Sequence, residues 1–417
     1  MSEIWLQNPY IDKTRAKIVS CERTNGKFRV LLDKTVFRYK GGGQDCDKGK
    51  LLKNSTIYRI IDVEREEDKT VHIVKGKGPL NVGDEVICVL DWDRRYTLMK
   101  LHTAEHIFYR SLINEFPGSE LKDIWLTFDD EKREGNGTIT VESDRPIDWK
   151  TLTKVEAEVN KIIHENRSVK TYILNVKDLT EDIRVRDSLL KRVDQVRIVE
   201  VENFDKAACS GTHLRKTSEI TFFKITSIER KGNDNVYHIN FKIGEDALNF
   251  ALMVSNQVLW KAQNLGYNPD EIIYVLEKYE KLRGSLSYLK TQLLEALPSY
   301  IEKSREVVQN IPIYHGICKG FEAKELAMLG RKLKKKIKES FVAVLLGTNE
   351  TASIVAISKG VNLDVSKVLK EFLSEHGGKG GGRPDFAIYG IKKSNNINEL
   401  LNSLVNKFKS ELTKLQT

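Results

Sequence analysis

The chain has 417 residues, enough for two to four domains with separate buried cores, which excludes a single small binding module. Hydrophobic residues make up 40% and charged residues 30%, with 68 Lys+Arg against 59 Asp+Glu for a net charge of +9, the composition of a soluble, folded, basic protein. The charge suits a polyanionic partner, and no apolar run approaches the roughly 20 residues of a membrane span, so no membrane partner is expected.

Residues 1–95 read as short alternating runs at 27–32, 56–63, 70–74 and 85–90, separated by Gly, Asp and Asn, which predicts a small β barrel or sandwich. Between two of these runs stands Gly41-Gly42-Gly43-Gln44. Three consecutive glycines either make a plain hairpin turn or allow positive φ and close approach of backbone N–H groups to a ligand. Glu3, Gln7 and Asn8 interrupt the opening segment, so no export signal is expected and the cytoplasm is the expected compartment. The five cysteines (21, 46, 88, 209 and 318) include no CxxC pair, which argues against a disulfide framework or a zinc ribbon and for a reducing compartment.

From 97 to 116 the pattern becomes helical, with Leu101, Ala104, Phe108 and Leu112 on one stripe and Pro117-Gly118 ending it. His102 and His106 stand one turn apart on this helix. Strands at 137–142, 169–176, 196–201, 219–229 and 236–243, with a helix near 152–166 and a loop at 207–213, make 96–246 an α+β domain. Residues 247–310 are helical, and the 3-4 spacing of Tyr279, Leu282, Leu286, Leu289 and Leu293 predicts a coiled-coil arm that either folds back or pairs two chains. Residues 311–417 alternate strand and helix as a small α/β domain, through which a homodimer could also form. There Arg331, Lys332, Lys334, Lys335, Lys336 and Lys338 place six cations in eight residues, a phosphate-binding patch without sequence preference. The run Gly377 to Gly382 around Lys379, including Gly380 and Gly381 and followed by Arg383, predicts a backbone nest for a phosphate with a forked donor beside it.

Two histidines four apart on a helix can hold one metal ion, and Cys209 with His213, four apart around a glycine, can turn back to complete the site. One sulfur and three nitrogens suit Zn²⁺, one per chain. With eight His and five Cys, chance gives about 0.15 His-x3-His and about 0.10 Cys-x3-His pairs, so their joint occurrence is informative. Such a site is either closed and structural or open to water or substrate. Glu105 and Asp205 are the acidic candidates for a polarised water or for orienting a histidine. Read literally, residues 102–106 are also HxxEH, a zinc peptidase pattern with Glu105 as base and Glu181 as a conceivable third ligand, although a peptide hydrolase needs neither Cys209/His213 nor a basic C-terminal domain.

At these residues the chain resembles the editing half of alanyl-tRNA synthetase and its free-standing relatives, the long-form alanyl-tRNA editing proteins. The family phrase His-Thr-Ala-x-His matches 102–106, and Ala-Cys-x-Gly-Thr-His matches 208–213. Gly41 to Gln44 is similar to the loop of the barrel that precedes the editing domain, and 377–385 to the DHHA1 domain that follows the coiled coil. The fold implied is a multidomain α+β chain: barrel (1–95), zinc-binding editing domain (96–246), helical arm (247–310) and DHHA1-like RNA-binding domain (311–417). Tyr39-Lys40 replaces the family's Pro-Glu, and Ser210 its central Gly. The resemblance implies a hydrolase that deacylates mischarged alanine tRNA in trans, chiefly of serine with glycine as a second candidate. No aminoacylation domain precedes the barrel, so no charging is expected, and without a DHH motif no phosphodiesterase. Zinc on His102, His106, Cys209 and His213 would orient the tRNA end or a water, Gly41 to Gln44 would close over the site, and Thr127 would contact the serine hydroxyl. Mischarged threonine tRNA is a further substrate candidate, and the peptidase and a non-catalytic RNA-binding protein with structural zinc are the alternatives.

Overall fold

The computed structural model describes residues 2–185, 193–232, 235–348, 352–374, 377–391 and 396–415. The chain divides into two compact units, Met1–Gly266 and Tyr267–Thr417, with the division inside the stretch expected as one arm.

The first unit opens with a closed six-stranded barrel in the order Lys13–Thr24, Lys27–Leu32, Lys69–Lys75, Thr56–Glu66, Gly49–Lys53, Glu85–Leu90. Alternation works as expected in the second strand, where Phe28, Val30 and Leu32 are buried and the residues between them are not. The barrel's first strand is absent from the sequence reading because its register shifts between Ile18 and Ser20, which turns Val19 outward and breaks the apolar period.

Helix Trp92–Glu115 follows and is buried along most of its length. It begins five residues before the expected 97 because the Asp91 side chain accepts a hydrogen bond from the Arg94 N–H at 3.3 Å, a cap that the apolar stripe does not reveal. Its expected stripe, Leu101, Ala104, Phe108 and Leu112, is fully buried. An antiparallel sheet in the order Phe223–Lys231, Val236–Ile243, Glu134–Glu142, Glu120–Asp129 packs against it together with helix Trp149–His164. Phe108 meets Phe223 and Phe241 with ring centroids 5.1 and 5.6 Å apart. The strand expected at 219–229 is divided: Thr217–Ile220 is a 3-10 turn, and the strand starts at Phe223. A second sheet, Val169–Asn175, Gln195–Val201, Asp205–Ala208, Ile183–Arg184, carries the chain up to Cys209.

In the second unit a six-stranded sheet runs in the order Glu306–Val308, Ile311–Lys319, Phe341–Thr348, Ala352–Lys359, Phe386–Ile391, Lys379–Arg383. Its two most central apolar strands are buried on both faces, one face under helix Ala323–Lys336 and the other under Val365–Ser374 and Ile397–Lys414. Helix Ile272–Ile301 exposes Leu282, Leu286, Leu289 and Leu293, the stripe expected to form a coiled coil. Two expectations are corrected here. Lys338 lies beyond the end of its helix, and the glycine run is no nest: Lys379–Arg383 is an edge strand paired with Phe386–Ile391. A nest needs alternating helical and left-handed residues, and only Gly377 of the run has positive φ. Among the described residues no helix is long and apolar enough to cross a membrane.

Candidate metal centre

Helix Trp92–Glu115 supplies His102 and His106 on one face, and the segment after strand Asp205–Ala208 supplies Cys209 and His213. Their ligating atoms all lie within 4.8 Å of one another, with Cys209 Sγ 3.3 Å from His102 Nε2 and 3.4 Å from His213 Nε2. Metal bonds of roughly 2.0–2.3 Å in a tetrahedron put ligands roughly 3.3–3.8 Å apart, so the cluster has the size to hold one metal ion.

The far side of each ring strengthens that fit. His102 Nδ1 donates to Gln44 Oε1 at 2.7 Å, and His213 Nδ1 lies 3.3 Å from Thr103 Oγ1, which accepts from Leu214 N at 3.1 Å. His106 Nδ1 lies 3.5 Å from Asp205 Oδ2. With the Nδ1 atoms of His102 and His213 hydrogen-bonded to protein oxygens and that of His106 facing Asp205 without a formed hydrogen bond, the Nε2 atoms are left for a metal, the arrangement by which outer groups orient ligating imidazoles. Burial disfavours charge on His106, but Asp205 and the Cys209 sulfur more than offset it and push the imidazole up to about 10, whereas burial holds His213 well below its ordinary value. Burial also works against a Cys209 thiolate, yet the His102 and His213 imidazoles hold the thiol well below its ordinary range, which favours the ligating form.

Gln44 is fully buried behind His102 rather than closing over the site. Its Nε2 donates to Thr212 Oγ1 at 2.9 Å, and its Oε1 also accepts from Thr212 N at 3.2 Å, so one amide ties both segments of the His/Cys cluster to the barrel. The preceding turn is pinned, not free: Leu126 N donates to Gly43 O at 2.7 Å and Arg38 Nη2 to Gly41 O at 2.7 Å. Gly43 has φ +78°, and a Cβ there would meet Ile124 O at 2.6 Å, so this glycine is required by close strand approach. Gly211 is required too, since a Cβ would meet the His102 ring at 2.1 Å. Gln44→Ala should therefore weaken metal affinity about 10–100-fold, the usual cost of losing an orienting partner. Titration against a chelator of known affinity checks this, and unchanged affinity would refute the orienting role.

The cluster lies at a cavity of about 1130 Å³ that is also lined by Gly42, Gly43, Glu105, Tyr109, Arg184 and Arg197. Arg184 was not anticipated: it donates from Nε and Nη2 to Asp205 at 2.9 and 2.6 Å and lies 4.9 Å over the Tyr109 ring. Despite burial, Arg184 and His106 hold the Asp205 carboxyl well below the usual carboxylate range. Arg197, also unanticipated, donates to Cys209 O at 2.9 Å and Gly211 O at 3.0 Å and so fixes the ligand loop. No local sequence signal marks either arginine, because their partners are 12 to 21 residues away across a sheet.

Three family models match the chain: the DHHA1 domain at 310–410, the threonyl and alanyl tRNA synthetase second additional domain at 196–236, and tRNA synthetases class II (A) at 11–94. Alanyl-tRNA editing protein AlaX-L of Pyrococcus horikoshii is 27% identical over 398 residues, covering 93% of this chain and 94% of that protein. This chain is similar along nearly its whole length to a long-form alanyl-tRNA editing protein. The alanine–tRNA ligases of Ignicoccus hospitalis and Sulfurisphaera tokodaii are each 26% identical over 97% and 96% of this chain, but it spans only 43% of either ligase.

The other expected site residues are dispersed. Thr127 is not among the cavity-lining residues; its hydroxyl donates to Asn136 O at 3.4 Å, a cross-strand contact. Glu181 is exposed and stands outside the four-residue cluster, where Cys209 and His213 take the positions a peptidase would give to its third ligand. In the second unit, Lys334 pairs with Asp385 at 2.6 Å, Lys336 with Glu302 at 2.7 Å and Lys332 with Glu295, so three of the six cations are spent within the fold. Arg331, Lys335, Lys338, Lys379 and Arg383 are exposed.

Proposed function

We propose that this chain hydrolyses the ester joining a wrong amino acid to alanine tRNA, chiefly serine with glycine second, in trans and without charging tRNA itself. The observation that carries the reading is the convergence of His102, His106, Cys209 and His213 beside a cavity, in a chain similar along nearly its whole length to a protein named for alanyl-tRNA editing. Serine differs from alanine by one hydroxyl, which a pocket shaped for a methyl excludes only weakly, so a second hydrolytic sieve is needed.

One Zn²⁺ held by these four residues would supply Lewis-acid polarisation of a water or of the ester carbonyl. The chain's own residues do the rest. Gln44, Thr103 and Asp205 orient the imidazoles, Arg197 holds the Cys209 loop, and Gly42 and Gly43 form a wall without side chains where the tRNA end can lie. Water adds to the ester carbonyl carbon, the bond from that carbon to the ribose oxygen breaks, and the proton from water ends on the ribose, releasing amino acid and uncharged tRNA. The exposed Arg331, Lys335, Lys338, Lys379 and Arg383 would bind tRNA phosphates through the DHHA1-matching segment.

The test is release of labelled serine and of labelled alanine from the matching charged alanine tRNAs, in the cytoplasmic range of pH and salt, with a charging assay in parallel. Rapid serine release, spared alanine and no charging are expected. Tight tRNA binding with bound metal but no release of either amino acid would leave a non-catalytic RNA-binding protein, and peptide cleavage lost on Glu105→Gln would favour the peptidase.

A further inference from the structure

Glu105 has a buried oxygen without a hydrogen-bond partner among the described residues. His102, Glu105, His106 and Tyr109, spaced i, i+3, i+4 and i+7, put one helix face on the cavity wall. Glu105 is 2% exposed, and its Oε1 has no hydrogen-bond partner among the described residues. Its other oxygen lies 4.0 Å from His106 Nε2, so the carboxylate stands within one side chain's reach of the metal cluster. A buried carboxylate oxygen without a donor is costly, and such an atom on a cavity wall marks a place where a ligand brings the donor.

The neighbouring charges narrow the ligand. Asp205, the other acid beside the cluster, is occupied by Arg184 on both oxygens and faces His106. The two arginines on the wall are held away from Glu105 Oε1 by other partners, Arg184 by the Asp205 carboxylate and Arg197, which keeps its charge, by the Cys209 and Gly211 carbonyls. Glu120 and Asp123 line the same cavity nearer solvent, where Glu120 pairs with Lys122 at 2.7 Å, so Glu105 is the buried carboxylate of this wall that keeps an oxygen without a partner among the described residues. An anionic group would be repelled from this oxygen. A compact cation with several N–H donors fits it, and an aminoacyl ester carries one, the α-ammonium on the carbon next to the scissile carbonyl.

We infer that Glu105 Oε1 receives the α-ammonium of the aminoacyl group and makes the site selective for esters with a free amine. The inference rests on the deacylase reading above and adds its specificity element. The charge-assisted bond would place the ester carbonyl over the cluster, and blocking the amine would remove both the charge and two of its donors. A role in activating water would instead act on any ester, whatever its amine carries.

The experiment compares seryl and N-acetylseryl esters of the same alanine tRNA, using metal-loaded wild-type protein and Glu105→Gln, with metal content measured in each. Wild-type protein should prefer the free amine by at least about 10-fold in kcat/KM, and Glu105→Gln should lose about that factor on the free amine while the N-acetyl rate and metal content stay unchanged. Equal losses on both esters, or loss of metal in the variant, would overturn the assignment while leaving the deacylase reading intact. Equal wild-type rates on both esters would overturn it in the same way. Failure to cleave either ester would instead remove the deacylase reading and this inference with it. If Glu105→Gln does not fold, Glu105→Asp supplies the comparison: the shorter carboxylate should shrink the free-amine preference, and an unchanged preference counts against the inference.

Discussion

Cys209→Ala should abolish metal retention and lower deacylation by about two orders of magnitude or more, the scale on which removal of one preorganised charge-stabilising group acts. The expectation follows from position. Cys209 Sγ sits between His102 Nε2 and His213 Nε2 at 3.3 and 3.4 Å and is the cluster's one sulfur, so its loss removes the only anionic ligand atom of the four. The fold should survive, because the loop is held independently by Arg197 through the Cys209 and Gly211 carbonyls, which the substitution leaves in place. Affinity for tRNA should also survive if the exposed cations of the second unit carry it. Three readouts check this: metal content by elemental analysis, serine release from charged tRNA, and tRNA affinity. Metal loss with full hydrolysis would show that the cluster is not part of the reaction, and removal of metal from wild-type protein by a chelator should reproduce the variant.

The His/Cys cluster was legible in the sequence because its signal is local. His102 and His106 are one helical turn apart, Cys209 and His213 flank a glycine, and each pair is visible within five residues. The barrel was legible for the same reason, since side-chain alternation is a nearest-neighbour property, and it failed at Val19, where a bulge breaks the period. The functions of the outer groups were not legible. Gln44 was read as part of a closing loop, but its role depends on partners 58 and 168 residues away, His102 and Thr212. Asp205 and Glu105 were interchangeable as acids in the sequence, and only the Arg184 fork, across 21 residues, shows that one is occupied and the other is not. The lysine-rich helix was overread for a related reason: charge density is visible along the chain, whereas the aspartate and glutamates that neutralise Lys332, Lys334 and Lys336 lie 34 to 51 residues distant.

Asp47→Ala should destabilise the first unit by about 3–5 kcal/mol, the cost of leaving a buried guanidinium without its partner. Arg95 is fully buried and Asp47 is 1% exposed. Arg95 Nε and Nη2 donate to the two oxygens of Asp47 at 3.0 and 2.5 Å, and its remaining donors reach Val36 O at 2.6 Å and Pro9 O at 2.8 Å. Asp47 in turn accepts from Arg38 N at 2.5 Å, so it binds both the barrel backbone and the long helix. By contrast the exposed Lys206–Asp182 pair should contribute little, because solvent screens it. Removing both buried partners, as Asp47→Leu with Arg95→Leu, should cost much less than Asp47→Ala alone, since no charge is then stranded. Urea midpoints at constant slope measure both variants, and a loss below about 1 kcal/mol in Asp47→Ala would refute the argument. The consequence reaches the metal centre through geometry: Arg95 lies two helical turns before His102 on the same helix, and the barrel it grips also delivers Gln44 to the His102 ring. Asp47→Ala should therefore also weaken metal retention although Asp47 touches no ligand, and the double leucine variant should restore part of it. Full metal affinity in a destabilised Asp47→Ala protein would show that the Gln44 contact alone fixes the histidine and that the Arg95 anchor serves the fold only.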